Sequence, residues 1–427
     1  RKPLIIKGCR QCGKTYSVMK FAEDNYEHVV YLNFFENPEY NSIFSGSLDV
    51  DNITMMISAL LGQKAVFEAE KTILILDEIQ ECAQARTALK FFRIDGRYDV
   101  IGTGSLLGVR GYGEQPKSIP VGSETTLHMN PLDFEEFLWA NGISEAIISI
   151  LRKSLEDETV IPEALHQRLK ELLLQYTVVG GMPEVVNDFV NNNDYKKARK
   201  IQESILRAYT NHFSKHISST GKLKIDLLWE SIPNQLTQES KKFVYKKIKQ
   251  GARAEEFEEA LSWLINCGLV YKIDRITKPA MPIKAYEDTK AFKLFILDVG
   301  LLCALSKLPA RTLIDGDKIF TEFNGALAEQ YVLQQLKTLE DMEVAYWISK
   351  SGNAEIDFVI QTDGYVIPVE VKATTNLQAK SLKVYREKFE PELSIRTSLA
   401  EFGINNGLYN IPLFMAGKIY EILEEEY

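Results

Sequence analysis

Gly8-Cys9-Arg10-Gln11-Cys12-Gly13-Lys14-Thr15 stands directly after a short apolar run, Lys2 to Lys7, and opens a helical stretch, Thr15 to Glu23. A Gly-x4-Gly-Lys-Thr sequence between a strand and a helix is a phosphate cradle. Its glycines let successive backbone N–H groups curl around a β-phosphate. Lys14 reaches the β- and γ-phosphates, and the Thr15 hydroxyl ligates Mg²⁺. Working outward, Val29 to Phe34, Thr72 to Leu76 and Tyr98 to Gly102 are further apolar runs, with helical stretches such as Ala83 to Phe92 between them. Apolar strands alternating with helices predict an α/β core with a mostly parallel sheet covered on both faces.

A nucleotide cradle needs a second element for metal and water. The run Ile73-Leu74-Ile75-Leu76 ends in Asp77-Glu78, and an apolar strand seldom ends in paired acids without a use for them. Asp77 is expected to hold Mg²⁺ through water and Glu78 to polarise the attacking water, which argues for hydrolysis rather than nucleotide holding alone. The next apolar run ends in Thr103-Gly104-Ser105. Thr103 or Ser105 would sense a γ-phosphate, although Gly-Ser after a strand is also simply a turn.

These residues resemble an AAA-superfamily ATPase of the additional-strand, catalytic-glutamate class. His128-Met129-Asn130-Pro131-Leu132-Asp133-Phe134-Glu135-Glu136-Phe137 and Gly180-Gly181-Met182-Pro183-Glu184 resemble a large prokaryotic family that joins such a core to a C-terminal domain with a restriction-endonuclease-like fold. The resemblance spans nearly the whole chain. It implies ATP as the nucleotide, held by Gly8, Cys9, Arg10, Gln11, Cys12, Gly13, Lys14 and Thr15. Relatives of this type often assemble into rings, so a homo-oligomer or a protein partner stays open. Arg93, Arg97, Arg110 and Arg207 are candidates for an arginine finger, and spacing singles out none of them.

The expected organisation is a P-loop ATPase core over 1–145, a helical subdomain over 146–220, a winged-helix-like unit over 221–284 and a nuclease-like α/β domain over 285–427. Pro131-Leu132-Asp133-Phe134 opens a helix with Glu135 and Glu136 in its first turn, and Ala164 to Tyr176 and Tyr195 to Ser214 read as helices. Leu269 to Ile273 would close the winged-helix-like unit as a strand. Lys241, Lys242, Lys246, Lys247 and Lys249 read as one helix face, either solvated or in contact with DNA phosphates.

Near the C-terminus Glu355-Ile356-Asp357-Phe358-Val359-Ile360 and Val366-Ile367-Pro368-Val369-Glu370-Val371-Lys372 flank Asp363-Gly364, a two-residue hairpin signal. With that loop Asp357 faces Glu370 and Glu355 faces Lys372, all on one side of the hairpin. Opposed acids repel, and a divalent metal between them removes the conflict. Lys372 would then position a water or stabilise charge on a phosphate. Asp…Glu-x-Lys on a hairpin resembles the active centre of the PD-(D/E)xK nucleases. Glu329 lies on the apolar stripe of a predicted helix, Glu322 to Leu339, and the resemblance implies a helix-borne Glu as a further ligand. Mg²⁺ and Mn²⁺ both suit Glu329, Asp357 and Glu370. The bland alternative is a solvated salt bridge.

The chain has 427 residues, 45% hydrophobic and 26% charged, with a net charge of −9. That excludes a disordered chain and a surface coated with nucleic acid, and leaves a local basic patch open. No stretch approaches the roughly 20 apolar residues of a membrane helix. Five cysteines point to reduced thiols in the cytoplasm, and a chain that begins at Arg1 leaves a preceding leader open. Cys9-x-x-Cys12 fills variable cradle positions rather than marking a redox pair. His212-x-x-x-His216 has helical metal spacing without a third ligand. Trp139, Trp229, Trp263 and Trp347 read as core, and the Glu424-Glu425-Glu426 end as a solvated tail. The reading is an ATP-hydrolysing protein with a metal-dependent nuclease-like domain acting on DNA. Its alternative is a nucleotide-switched binding protein whose nuclease-like domain is a non-cleaving scaffold.

Overall fold

The computed structural model describes residues 1–105, 122–216, 218–238, 240–309, 321–339, 342–362, 364–419 and 421, without the side chains of 212, 214–216 and 321–323. Arg110, Asp363, Glu424–Glu426 and the side chains of His212 and His216 therefore lie outside the described residues. The chain divides into two compact units, one formed by Arg1–Asn130, His212–Ser219 and Ser262–Leu269, the other by Pro131–Asn211, Thr220–Leu261 and Val270–Tyr427.

The first unit is built on five parallel strands, β1 (Leu4–Lys7), β2 (His28–Asn33), β3 (Thr72–Asp77), β4 (Asp99–Gly104) and β5 (Thr125–His128), in the order β2-β3-β4-β1-β5. Every residue of β3 is buried, as a strand with both faces covered requires. Ile5, Leu32, Leu74, Leu76 and Val100 share a core with Ala85, Leu89 and Phe92 of α3 (Ala83–Asp95) and with Ile53 and Ile57 of α2 (Val50–Leu61). β4 lies between the strand carrying the cradle and the strand ending in Asp77, so three adjacent strand tips meet at one edge.

The second unit holds a mixed eight-stranded sheet. Its strands are β6 (Val270–Ile276), β7 (Glu287–Ile296), β8 (Glu343–Ile348), β9 (Glu355–Thr362), β10 (Tyr365–Val371), β11 (Ser394–Ser398), β12 (Gly403–Asn405) and β13 (Leu408–Pro412), in the order β12-β13-β11-β10-β9-β8-β6-β7. The strand expected to close a small winged-helix-like unit thus pairs antiparallel with β7 and parallel with β8. The sheet continues past residue 284 through β7, which pairs with β6. Residues 241–249 are not a helix: Phe243 is buried beside the half-buried Lys241 and Lys242, and the segment forms only a 3₁₀ turn over Tyr245–Lys247.

Helices of this unit follow the sequence signals closely. Asp133 caps α4 (Phe134–Ala140), accepting from the Glu136 N–H while the Glu136 side chain accepts from the Asp133 N–H. Phe134, Phe137 and Leu138 face inward at helical spacing, which turns Trp139 outward. It is 47% exposed, contrary to its expected core role, whereas Trp229 and Trp347 are buried. After α6 (Glu163–Val179) the chain reverses at Gly180-Gly181. Gly180 has φ 75°, and a Cβ on Gly181 would lie 1.9 Å from the Leu132 carbonyl oxygen. Asp298, fully buried, accepts the Gly181 N–H at 2.6 Å and the Leu301 N–H at 2.8 Å. The Asp298→Ala variant leaves both N–H groups without an acceptor, so urea unfolding of this unit should show a loss of about 2–4 kcal/mol. An unchanged midpoint would mean that Asp298 is not what anchors this turn.

Candidate functional site

The cradle forms where β1 ends and α1 (Lys14–Asn25) begins. Gly13 has φ 95°, a left-handed conformation that glycine adopts without strain. Gly8 is required for space, because a Cβ there would lie 2.3 Å from the Met129 carbonyl oxygen. Starting at Lys14, the helix leaves its first N–H groups unpaired by the helix itself and directed toward the loop. The Lys14 ammonium is buried against the loop, donating to the Cys9 carbonyl at 2.7 Å and the Gly8 carbonyl at 3.1 Å. Cys9 and Cys12 are both buried. A hydrogen bond from the Cys9 side chain draws the Cys12 thiol down to about 7 against its burial, with the Lys14 charge assisting. Arg10 donates to the Ser105 hydroxyl at 3.4 Å.

Asp77 is the hub of this site. Its Oδ2 accepts from the Thr15 hydroxyl at 3.0 Å, the Tyr31 hydroxyl at 2.6 Å and the Asn33 amide at 3.4 Å. Its Oδ1 accepts from the Glu78 N–H at 3.0 Å and from the Thr103 hydroxyl. Of the two expected sensors, Thr103 therefore joins Asp77, while Ser105 meets Arg10. Tyr31 and Asn33 went unread in the sequence. Their signal was two polar groups at alternate positions near the tip of β2, and Asn33 is paired in register with Asp77. Burial pushes the Tyr31 hydroxyl far above its usual range, and the Asp77 carboxylate reinforces this, so Tyr31 is a neutral donor. Glu78 has φ 51° and ψ 46°, a left-handed conformation uncommon for a non-glycine residue, and its carboxylate accepts from the Gln80 amide at 2.5 Å.

Three arginine-finger candidates are engaged within the chain. Arg93 donates to the Gly122 carbonyl, Arg97 pairs with Asp95 and Asp51, and Arg207 lies 3.9 Å from Glu203. Oxygen donors of Thr15 and Asp77 stand 3.0 Å apart, a spacing at which both can face a single hard cation.

The second unit brings the C-terminal candidates together in a different manner from a bare carboxylate pair. β9 and β10 pair in the expected register, from Tyr365↔Thr362 to Val369↔Phe358, and the Val371 N–H donates to Asp357 Oδ2 at 2.8 Å. Lys372 leaves the hairpin, sending its N–H to the Thr397 carbonyl and its ammonium to Glu370 at 2.6 Å. Glu355 consequently does not face Lys372 as expected. It pairs at 2.5 Å with Lys293, a fully buried residue of β7. Glu329, on the helix Thr321–Leu336, lies 3.7 Å from Lys293 and forms a close ion pair with Lys241.

Four carboxylates, Glu329, Glu355, Asp357 and Glu370, thus meet three ammonium groups, Lys241, Lys293 and Lys372. Burial, then the charges of Glu329 and Glu370, raise Asp357 well above the carboxylate range. Burial also raises Glu370, with Lys372 opposing. Glu329 is held low by Lys241 and Lys293 in spite of its burial. Asp357, raised by burial and by its two acidic neighbours, is thus in hydrogen-bond contact with Glu329, which is held low. Glu370 Oε2 is buried and takes no hydrogen bond. Among the described residues, Glu329, Asp357 and Glu370 are not a group with ligand atoms all within 4.8 Å of one another. Lys293 went unread because one lysine inside Phe292-Lys293-Leu294-Phe295 looks like an edge position. A charge at the centre of an apolar run was the available signal.

The basic run is likewise redistributed. Lys241 is spent on Glu329 and Lys249 on Glu256, leaving Lys246 and Lys247 exposed.

A strand–cradle–helix, a buried Asp at the tip of the strand beyond its neighbour, and an adjoining Glu define a P-loop nucleotide-binding domain. Consistent with that class, residues 1–138 match the family model described as "AAA domain", and this part of the chain is an AAA-type ATPase domain. Residues 170–312 match "Domain of unknown function (DUF8612)" and residues 324–415 match "Domain of unknown function (DUF4143)". No curated protein matches the sequence. Similar solved structures include the Walker-type ATPase PABY2304 of Pyrococcus abyssi, at 14% identity, covering 72% of this chain and 91% of that one with a TM-score of 0.41. They also include the Aeropyrum pernix ORC1 protein in complex with DNA, at 13% identity, 72% and 87% coverage and a TM-score of 0.28. The Thermotoga maritima RuvB Holliday junction branch migration motor is similar at 11% identity, 63% and 81% coverage and a TM-score of 0.26. At these scores the likenesses carry no argument about this chain. Among the described residues no helix is long and apolar enough to cross a membrane.

Because Lys293 is the most deeply buried cation of the carboxylate cluster, removing it strands Glu355 and Glu329. Lys293→Met should cost roughly 3–5 kcal/mol in urea unfolding, and Glu355→Gln in the same chain should recover part of the loss. Strictly additive effects of the two substitutions would show that the pair is not coupled.

Proposed function

We propose that this chain hydrolyses ATP with Mg²⁺ in its first unit, and that its second unit carries a nuclease-like, metal-dependent carboxylate centre that acts on DNA. The observation that carries the first part is the convergence of Thr15 and Thr103 on Asp77, with Glu78 as the next residue. Lys14 and the loop N–H groups bind the phosphates, and Glu78 takes the proton of the attacking water. Mg²⁺, held through Thr15 and Asp77, supplies positive charge to the phosphate oxygens when bound. Tyr31 and Asn33 keep Asp77 in one orientation.

In the second unit Asp357, Glu370 and Lys372 take the roles of the Asp…Glu-x-Lys arrangement of a restriction-endonuclease-like fold, with Glu329 as the further ligand. The free Glu370 Oε2 supports this assignment. The donor set accepts a divalent cation, Mg²⁺ or Mn²⁺, in exchange for the Asp357 proton. Lys246 and Lys247 are exposed cations suited to a phosphate backbone. All five cysteines are buried thiols, in keeping with a reducing cytoplasm. A second reading draws on Lys241 and Lys293, which neutralise the cluster internally. They suit a non-cleaving scaffold that grips a protein partner, or another copy of the chain, according to its nucleotide state.

The Glu78→Gln protein should bind ATP normally and turn over at least about a hundredfold more slowly. Normal turnover would remove Glu78 from the chemistry. Incubation of circular and linear DNA with Mg²⁺ or Mn²⁺, with and without ATP, decides between the two readings of the second unit. Metal-dependent nicking that disappears in Asp357→Ala establishes the nuclease, and its loss in Lys14→Ala shows that ATP controls it. Intact DNA on every substrate, with ATP hydrolysis preserved, establishes the scaffold reading.

A further inference from the structure

We propose that Glu163, His166 and Glu401 form a divalent transition-metal site in the second unit, sharing no residue with either site described above. One ligand atom of each of these residues lies within 4.8 Å of the others. Glu163 and His166 are three residues apart on α6, and so share one face of the helix. Glu401 approaches from the connection between β11 and β12.

Two exposed acids beside a histidine would mean little by themselves. What points to a ligand is the state of His166. The residue is 3% exposed, and neither Nδ1 nor Nε2 has a hydrogen-bond partner. A neutral imidazole carries one donor and one acceptor, and buried polar groups are nearly always satisfied. The ring packs edge-on to Phe414 with centroids 5.2 Å apart, which fixes its orientation without meeting either nitrogen. A metal bound to the nitrogen nearest the two carboxylates satisfies that atom and uses the ring as packed.

The neighbouring charges permit this. Gln167 donates to Glu163 Oε1 at 2.6 Å, and the Glu163 and Glu401 carboxyls are themselves in hydrogen-bond contact, a contact that a shared cation would replace. Lys170 acts on Glu163 only at a distance, without an ion pair. The contrast is Glu27, His28 and Glu68 in the first unit, which also have ligand atoms within 4.8 Å. There Lys71 stands 3.1 Å from Glu27 and 3.3 Å from Glu68 and supplies the positive charge itself. His28 is only half-buried, and its Nε2 lies 3.4 Å from Glu68. Among the described residues no comparable cation sits between Glu163 and Glu401.

One imidazole with two carboxylates suits Zn²⁺, and Co²⁺ or Mn²⁺ after it, and disfavours Mg²⁺ and Ca²⁺, which prefer all-oxygen sets. Three protein ligands leave a fourth position for water, and the exposed acids provide the path of entry. The ligands come from α6 and from the far end of the sheet, so the metal would tie together segments distant in sequence. Binding only to the folded state, it would raise the melting temperature.

The test uses the full chain, freed of metal with a chelator and titrated with Zn²⁺, with Co²⁺ or Zn²⁺ followed by X-ray absorption. The expected result is one equivalent of Zn²⁺ with imidazole nitrogen in its ligand shell, retained in Asp357→Ala and in His28→Gln. The same equivalent should weaken roughly tenfold or more in Glu401→Gln and in His166→Gln. Added Zn²⁺ should raise the melting temperature of the unmodified chain and of Asp357→Ala, but not of Glu401→Gln. Since Glu401 is an exposed loop residue, its variant carries the test even where His166→Gln fails to fold. The proposal is overturned when no equivalent remains beyond those lost in Asp357→Ala, when the bound metal has no imidazole neighbour, or when Glu401→Gln binds as tightly as the unmodified chain.

Discussion

The first unit depends on one buried carboxylate. Asp77 gathers a hydroxyl from the cradle, two donors from β2, one from β4 and the backbone of Glu78. A single anion in a strand tip thus fixes the relative positions of three strands and the loop between the first strand and α1. Charge-assisted hydrogen bonds of this kind are stronger and more directional than neutral ones. The strand order explains why the arrangement is available at all. With β4 between β1 and β3, the Asp77 side chain has Thr103 as its immediate neighbour on one side and Asn33 on the other.

The same physics is used in reverse in the second unit. There four carboxylates meet Lys241, Lys293 and Lys372, with Arg396 acting on Glu370 from further off, and burial raises Asp357 and Glu370. Lysines arrive from two places the hairpin does not contain, β7 and the segment after α9 (Ser219–Leu236). A sheet that runs continuously from β7 through β10 is what allows Lys293 to reach Glu355. That continuity also includes the strand Val270–Ile276, which pairs with β7 and β8.

The sequence reading reached as far as local rules extend. The cradle, β1 to β4, the Asp133 cap and the register of the C-terminal hairpin are all encoded within a few residues of where they act. β5 was not legible, because Thr125–His128 is exposed throughout and carries no apolar pattern; it is held only by pairing with β1. The run Lys241–Lys249, with its apolar Phe243, Val244 and Ile248, reads as a helix, but Phe243 stacks on Phe292 at a ring separation of 5.5 Å and the segment forms only a 3₁₀ turn. Tyr31, Asn33 and Lys293 are long-range partners whose roles exist only once strands are laid side by side. The pairing of Glu355 with Lys372 failed for a related reason: hairpin register was extended past Val371, where β10 ends and the backbone turns to β11.

The balance of the carboxylate centre bears on both readings of the second unit. On the proposed reading the excess of acids over lysines would be relieved either by a proton, for which Asp357 is the most strongly raised carboxyl, or by a divalent cation in its place. These are two occupancy states of one set of side chains rather than two different sites. Lys293 is fully enclosed and holds its charge through Glu355 and Glu329 in either state, although burial alone would remove it. Lys241 sits nearer the surface, on a segment without regular structure, and pairs with the one acid that lies on a helix. A cation entering at Glu329, as the proposal has it, would compete with Lys241 first. On the proposed reading the internal lysines would set the affinity of the centre for metal without abolishing the donor set, and cleaving or only gripping would turn on how readily that one ion pair yields.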